Sequence, residues 1–207
     1  MKTFDYAIDG IFPVPVYYSF DVKKFTKAEL TAVNNHKKNC YGNVGNITSN
    51  NTYVLNTKSF QQLKSTLTRH INEYFQKVYM PKKKDLKLYI TQSWLNYTKN
   101  NEFHHLHSHQ NSFVSGVIYI KADPEFDSIV LERRQPLENI LMNPHTYGLF
   151  NSAQWNYKIK TGMLILFPST TPHSVKTKKD NNERISLAFN TYIKGTLGDT
   201  KSLTELI

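Results

Sequence analysis

Residues 86–98 read LKLYITQSWLNYT. Here the hydrophobic period drops to two, the repeat of a strand with one buried face. The same pattern returns in FVSGVIYIK (113–121), DSIVLE (127–132), WNYKIK (155–160), GMLILFP (162–168), HSVKT (173–177) and RISLAFNTYI (184–193). Turn residues separate these runs, and no helix of useful length lies between them, which argues against a parallel α/β sheet. Many short strands after two helices predict a mainly β protein, a sandwich or jelly roll with the helices packed outside.

The two helices lie upstream. Between Thr57 and Tyr79, Phe60, Leu63, Leu67, Ile71, Phe75 and Val78 recur at three- and four-residue steps and form one apolar stripe. Pro81 ends this helix, and Lys82, Lys83 and Lys84 make a solvated turn. A shorter helix is expected over 26–38, with Thr26 as N-cap and Leu30 and Val33 on its inner face. Residues 41–56, rich in Asn, Gly, Ser and Thr, read as a loop. The two prolines of GIFPVPVYYSF (10–20) confine it to an edge strand or an extended arm. There is no internal repeat and no composition break. The chain therefore reads as a single domain over 1–207: arm and helices to 84, a β core over 85–195, and a tail over 196–207.

A chain of 207 residues, 39% apolar and 13% aromatic, can bury a sizeable core. Its few glycines and prolines exclude collagen-like and low-complexity classes. No apolar run approaches the roughly 20 residues that span a bilayer, and MKTFDYAIDG lacks the apolar core of a signal peptide. The lone Cys40 allows no intrachain disulfide, so a reducing cytoplasm is expected. Twenty-six basic against 16 acidic residues give +10. That excess favours a phosphate-bearing or acidic partner, although AT-rich coding yields the same abundance of Lys, Asn, Ile and Tyr.

Four of the eight histidines fall in six residues: His104, His105, His107 and His109. On a strand, residues i and i+2 share a face. His107 and His109 therefore point together at metal-ligand spacing, His105 joins them if the strand extends that far, and His104 points away. His173, just after Pro172 at the end of a buried strand, is the natural third ligand. Three neutral imidazoles suit a first-row divalent metal with open positions. The plainer alternative is a solvated polar turn. In ERISLAFNTYI (183–193), Arg184 and Ser186 share a face with Ala188 and Asn190. An inward Arg needs an anionic partner, and no nearby acid supplies one. A small dicarboxylate would, through a bidentate guanidinium pair and the Ser hydroxyl. The alternative is an exposed Arg beside Glu183.

His107-x-His109, then His173, then Arg184-x-Ser186 resembles the Fe(II)- and 2-oxoglutarate-dependent dioxygenases. More narrowly, SWLNYTKNNEFHHLHSHQNSFVSGVIYI (93–120), GMLILFPSTTPHSV (162–175) and ERISLAFN (183–190) resemble the 2-oxoglutarate-Fe(II) oxygenase family of marine cyanobacteria and cyanophages. FPVPVYYSF (12–20) is similar to that family's N-terminal arm. The resemblance implies a double-stranded β-helix, a cupin-like jelly roll. It implies Fe(II) on His107, His109 and His173, with 2-oxoglutarate held by Arg184 and Ser186. It further implies hydroxylation of a substrate with release of succinate and CO2, in the host cytoplasm if the gene is phage-borne. Tyr119 sits where relatives place a Tyr near 2-oxoglutarate, and Asn96 on the preceding strand is a second candidate for that subsite; both also fit as packed strand residues. His105 and Trp94 are candidate substrate contacts, with packing the alternative for Trp94. His145 reads as a surface residue.

The wider superfamily carries His-x-Asp or His-x-Glu where this chain has His107-x-His109. The narrower family does show His-x-His. Three neutral ligands would leave Fe(II) its full charge. Alternatively His109 stands behind the metal with water in its place, or Glu102 or Asp123 supplies a carboxylate. Two further readings stand beside the oxygenase. One is a cupin-like three-His dioxygenase without 2-oxoglutarate. The other is a non-catalytic basic jelly roll whose lysines at 23–28, 37–38, 82–84 and 176–179 form one positive face. The substrate, a small molecule or a protein side chain, is not legible, and nucleic acid is the less favoured partner. No membrane association is expected, and aromatic edge strands leave room for a homodimer. Residues 136–153, polar and turn-rich, fit a lid over the site.

Overall fold

A computed structural model describes residues 5–134 and 143–207 of the chain. Its elements run β1 (Tyr17–Ser19), α1 (Lys27–Lys37), β2 (Cys40–Asn43), β3 (Asn46–Ser49), α2 (Gln61–Tyr79), β4 (Lys87–Thr98), β5 (His104–His107), β6 (Val114–Lys121), β7 (Ser128–Glu132), β8 (Gln154–Lys158), β9 (Leu164–Pro168), β10 (His173–Val175), β11 (Arg184–Leu197) and β12 (Thr204–Leu206). The major sheet has the order β1-β9-β6-β11-β4-β3-β2, with β12 also on β11; the minor sheet is β5-β10-β7-β8. Pairing within both sheets is antiparallel. From β4 to β11 the chain crosses repeatedly between the sheets, which makes a jelly roll with both helices outside, as the alternating runs predict. No described helix is long and apolar enough to cross a membrane.

Strand alternation divides the interior into two cores. Ile185, Leu187 and Phe189 of β11 face the helices and share a cluster with Phe60, Leu63, Leu67 and Ile71 from the α2 stripe. Between the sheets lies a second cluster of Tyr119, Ile129, Leu131, Ile165 and Phe167. Arg184, Ser186 and Ala188, the opposite face of β11, line the space beside that second cluster. The helix stripe therefore seals one side of the major sheet and leaves the other side for chemistry.

Several expectations shift. The long helix begins at Gln61, after short 3-10 turns at Val54–Asn56 and Lys58–Phe60, and ends at Met80 in the left-handed region before Pro81. In α1 the inward place expected of Leu30 belongs to Glu29: Leu30 is 43% exposed and Glu29 only 2%. A capping box explains this. The Glu29 amide donates to Thr26 Oγ1 at 3.2 Å, the Thr26 amide donates to Glu29 Oε2 at 2.8 Å, and Lys23 pairs with the other carboxylate oxygen at 2.7 Å. The 41–56 stretch is not merely a loop. It contains the hairpin β2–β3, hidden because its inward residues are Asn, Thr and Ser rather than apolar. The expected tail folds back as β12 on the end of β11. The candidate lid over 136–153 falls in part on residues 135–142, outside the described residues.

Gly116 on β6 makes room for side chains of the neighbouring strands. A Cβ there would run into the Phe189 ring and sit 2.6 Å from Leu166 Cδ2. Gly116→Ala should therefore destabilise the fold by about 1–3 kcal/mol, the usual range for overpacking, measured by denaturant unfolding. An unchanged midpoint would mean that Phe189 has room to move aside.

Candidate functional site

A small open cavity of about 40 Å³ lies between the sheets. The minor sheet brings His107, at the end of β5, and His173, at the start of β10, into direct register as Cα partners. His109 lies beyond β5, so the expected continuous strand through 105, 107 and 109 is not formed. The chain turns instead, and the His109 amide donates to the Ser169 carbonyl at 2.9 Å. Ring centroids are 4.2 Å apart for His107 and His173, 5.0 Å for His107 and His109, and 5.1 Å for His109 and His173. One ligand nitrogen from each of the three lies within 4.8 Å of the others.

Two of these rings are held in one tautomer. His107 Nδ1 lies 2.9 Å from the His105 carbonyl and His173 Nδ1 lies 3.1 Å from the Thr171 carbonyl. A carbonyl only accepts, so each Nδ1 carries the proton and each Nε2 keeps a lone pair for the cavity. Burial also keeps the rings neutral. Desolvation, reinforced by His107 and His109, pulls His173 down to about 3. Desolvation, with His107, pulls His109 down to about 4. His107 is also lowered, chiefly by burial. Three unprotonated nitrogens converging on one point are the donor set that a first-row divalent cation requires.

The major sheet presents rows of side chains opposite. Strand register places Ser186 between Tyr119 on β6 and Asn96 on β4, with Thr48 of β3 beyond Asn96. Ala188 stands between Val117 and Trp94 in the next row. Arg184 stands beside Thr98. Trp94 packs its ring 5.6 Å from that of His109. Asn96 Oδ1 accepts from Thr48 Oγ1 at 2.9 Å. Burial raises the Tyr119 phenol, so its hydroxyl stays a proton donor.

Arg184 is 4% exposed, not an exposed hairpin residue; Glu183 pairs with Lys37 of α1 instead. The acid that the local sequence lacks comes from the loop before β7. Asp127 Oδ1 takes Lys178 Nζ at 3.0 Å and Arg184 Nη1 at 3.4 Å, and Lys178 also pairs with Asp180 at 2.7 Å. The Lys178 side chain is fully enclosed. Asp127 is therefore committed mainly to Lys178. Arg184 makes one long contact with it, and its remaining N–H groups stay available to the cavity.

Trp94, Asn96, His107, His109, Tyr119, His173, Arg184 and Ser186 all line this one cavity; His105 does not. His104, expected to point away, also lines it, stacked on His107 at a ring separation of 4.6 Å. The β5 ladder explains this, because a bulge shifts the register between His173 and Val175. The carboxylate alternatives are engaged elsewhere: Glu102 accepts from the Lys99 amide and Asp123 from the Glu125 amide. Among the described residues no carboxylate lines the cavity. Sequence reasoning missed Asn46, Thr98, Asp127 and Lys178. Only Asp127, opening the strand DSIVLE, carried a signal.

Residues 92–190 match a family model described as "Putative 2OG-Fe(II) oxygenase". No curated protein matches the sequence significantly. Among solved structures, an oxidoreductase of the 2OG-Fe(II) oxygenase family from Burkholderia pseudomallei is similar, at TM-score 0.57 and 13% identity, covering 85% of this chain and 83% of that one. HygX from Streptomyces hygroscopicus, solved with nickel, 2-oxoglutarate and hygromycin B, gives 0.58 and 12%, covering 86% and 82%. A Pseudomonas putida prolyl-4-hydroxylase gives 0.54 and 13%, covering 86% and 92%. At these identities the likeness speaks for the fold.

The buried imidazoles set a pH dependence. His109 and His173 titrate well below the roughly 6.5 of an unfolded His, so their contribution to stability is complete above pH 6.5 and is lost as pH falls toward about 4 for His109 and about 3 for His173. The metal-free protein should lose stability progressively between pH 6.5 and 4 in denaturant titrations, and His173→Gln should flatten that slope. A flat profile in the parent chain would show that the cluster opens to solvent.

Proposed function

We propose that the chain is a 2OG-Fe(II) oxygenase, the family whose model residues 92–190 match, and we infer which residues run the reaction and how. His107, His109 and His173 would hold Fe(II), and Arg184 with Ser186 would hold the far carboxylate of 2-oxoglutarate. Bound together, metal and cosubstrate supply an oxidant made from dioxygen, with 2-oxoglutarate leaving as succinate and CO2 and the substrate hydroxylated. The observation that carries the reading is Arg184, a buried guanidinium with spare donors in the same cavity as three neutral imidazoles.

The chain's own part is positioning. Register fixes His107 against His173, and two backbone carbonyls hold their lone pairs toward the cavity. Ser186 and Tyr119 offer hydroxyls beside Arg184, and Thr48 holds Asn96, leaving its amide donor for the cosubstrate. Trp94 covers the flank of His109 and gives the substrate an apolar wall. The apolar cluster between the sheets keeps water from the closed end. Three neutral ligands leave the cation its full charge, which strengthens its hold on an anionic 2-oxo acid.

The other readings fare less well. A three-His enzyme without 2-oxoglutarate gives Arg184 no task. The continuous basic face is broken, because Lys23, Lys37 and Lys178 are each paired with a carboxylate. The substrate is a small molecule or a protein side chain. The free Cys40 fits a reducing compartment, and we place the enzyme in the cytoplasm.

Release of labelled CO2 from 2-oxo[1-14C]glutarate by the Fe(II)-loaded protein tests the proposal. Arg184→Ala should raise the KM for 2-oxoglutarate about ten- to a hundredfold, as expected for losing a charge-assisted hydrogen bond, and Arg184→Lys should fall between. Turnover with an unchanged KM in Arg184→Ala would remove the Arg from cosubstrate binding.

A further inference from the structure

Asn46 opens β3, outside the stretch that carries the family match. Register pairs Ile47 with Tyr97 and Thr48 with Asn96, so Asn46 falls opposite Thr98, which is itself opposite Arg184. The three residues form one row across three strands, and all three line the cavity. Asn46 is 4% exposed, yet neither Oδ1 nor Nδ2 has a hydrogen-bond partner among the described residues. A buried carboxamide left unpaired is costly. It is retained where something that enters the cavity pairs with it.

The hairpin that carries Asn46 is fixed to the site. Gly45 at its turn has φ +87, and a Cβ there would meet Phe103 at 2.8 Å. The Phe103 amide donates to the Gly45 carbonyl at 2.9 Å, one residue before β5. Asn43, across the turn, places Nδ2 3.3 Å from His104 Nε2. The hairpin therefore cannot shift independently of the histidine strand, and Asn46 is held where it is.

We propose that Asn46 is a cosubstrate-binding residue: its Nδ2 donates to the same carboxylate that Arg184 pairs, so the hairpin β2–β3 forms the closed end of the 2-oxoglutarate subsite. This rests on the function proposed above. A dicarboxylate reaching from the histidines toward the Arg184 row ends in a carboxylate with more acceptor positions than one guanidinium fills. Asn46 supplies a neutral donor that adds affinity without a second buried charge. Its Oδ1 then accepts from water or from an unused Arg184 N–H.

The test is calorimetric titration of the Fe(II)-loaded protein under anaerobic conditions with 2-oxoglutarate and with oxalate, which chelates a metal but lacks the distal carboxylate. Asn46→Ala should weaken 2-oxoglutarate about tenfold or more and leave oxalate unchanged. Asn46→Asp, which sets a second carboxylate there, should weaken it further. The melting temperature of metal-free Asn46→Ala should equal or exceed that of the parent, because an unpaired buried group has been removed. If Asn46→Ala binds 2-oxoglutarate within twofold of the parent while Arg184→Ala loses it, the Asn46 assignment is wrong and the oxygenase reading stands. If the parent binds 2-oxoglutarate no better than oxalate, and Arg184→Ala changes nothing, the oxygenase reading fails first. A variant that weakens both ligands and melts lower would make Asn46 a structural residue and overturn the assignment.

Discussion

A positive charge enclosed between two β-sheets governs this molecule. Arg184 sits at the start of β11 on the side turned away from the helices, where an uncompensated guanidinium would be intolerable. Asp127 and Asp180 answer the charge of Lys178 and part of that of Arg184. Lys178 takes the short contacts, so Arg184 keeps its orientation and most of its donors. The network anchors the guanidinium from behind and leaves its front to an anion.

The division between the sheets follows from that charge. The minor sheet supplies short strands that end in the cavity, so imidazoles at their tips reach a common point without crowding. The major sheet supplies long strands whose register lays polar side chains in rows. Helix α2 makes this possible by covering the other face of the major sheet. Without the stripe from Phe60 to Phe75, Leu187 and Phe189 would have to turn inward, and the polar rows would face solvent.

The sequence was most informative where burial on one face enforces alternation. The run from Arg184 to Tyr192 separates Ile185, Leu187 and Phe189 from Arg184, Ser186 and Ala188, so both the strand and its chemical face could be read. The histidine spacing pointed to His107 and His109, but strand alternation did not hold there: the chain turns before His109, and a bulge sets His104 rather than His105 into the cavity. The hairpin β2–β3 was not legible. Its inward side chains are polar, Asn46 facing the cavity and Thr48 bonded to Asn96, and polar residues carry no hydrophobic period. Nor could Asp127 be assigned to Arg184, because the pairing joins residues 57 positions apart and depends on how the sheets close. Glu29 displaced Leu30 inside because a capping box outweighed a weak apolar pattern.

The central claim is that metal and 2-oxoglutarate meet in the cavity spanned by His107, His109, His173 and Arg184. An anaerobic visible-absorption titration tests it most directly: Fe(II) is added to the metal-free protein, then 2-oxoglutarate, and the metal-to-ligand charge-transfer band of a chelated 2-oxo acid is sought. A saturable band at one equivalent, abolished in His173→Ala, is the predicted result. Tight Fe(II) binding with no band at any 2-oxoglutarate concentration would contradict it, and would leave a three-histidine metal site whose substrate binds without this cosubstrate.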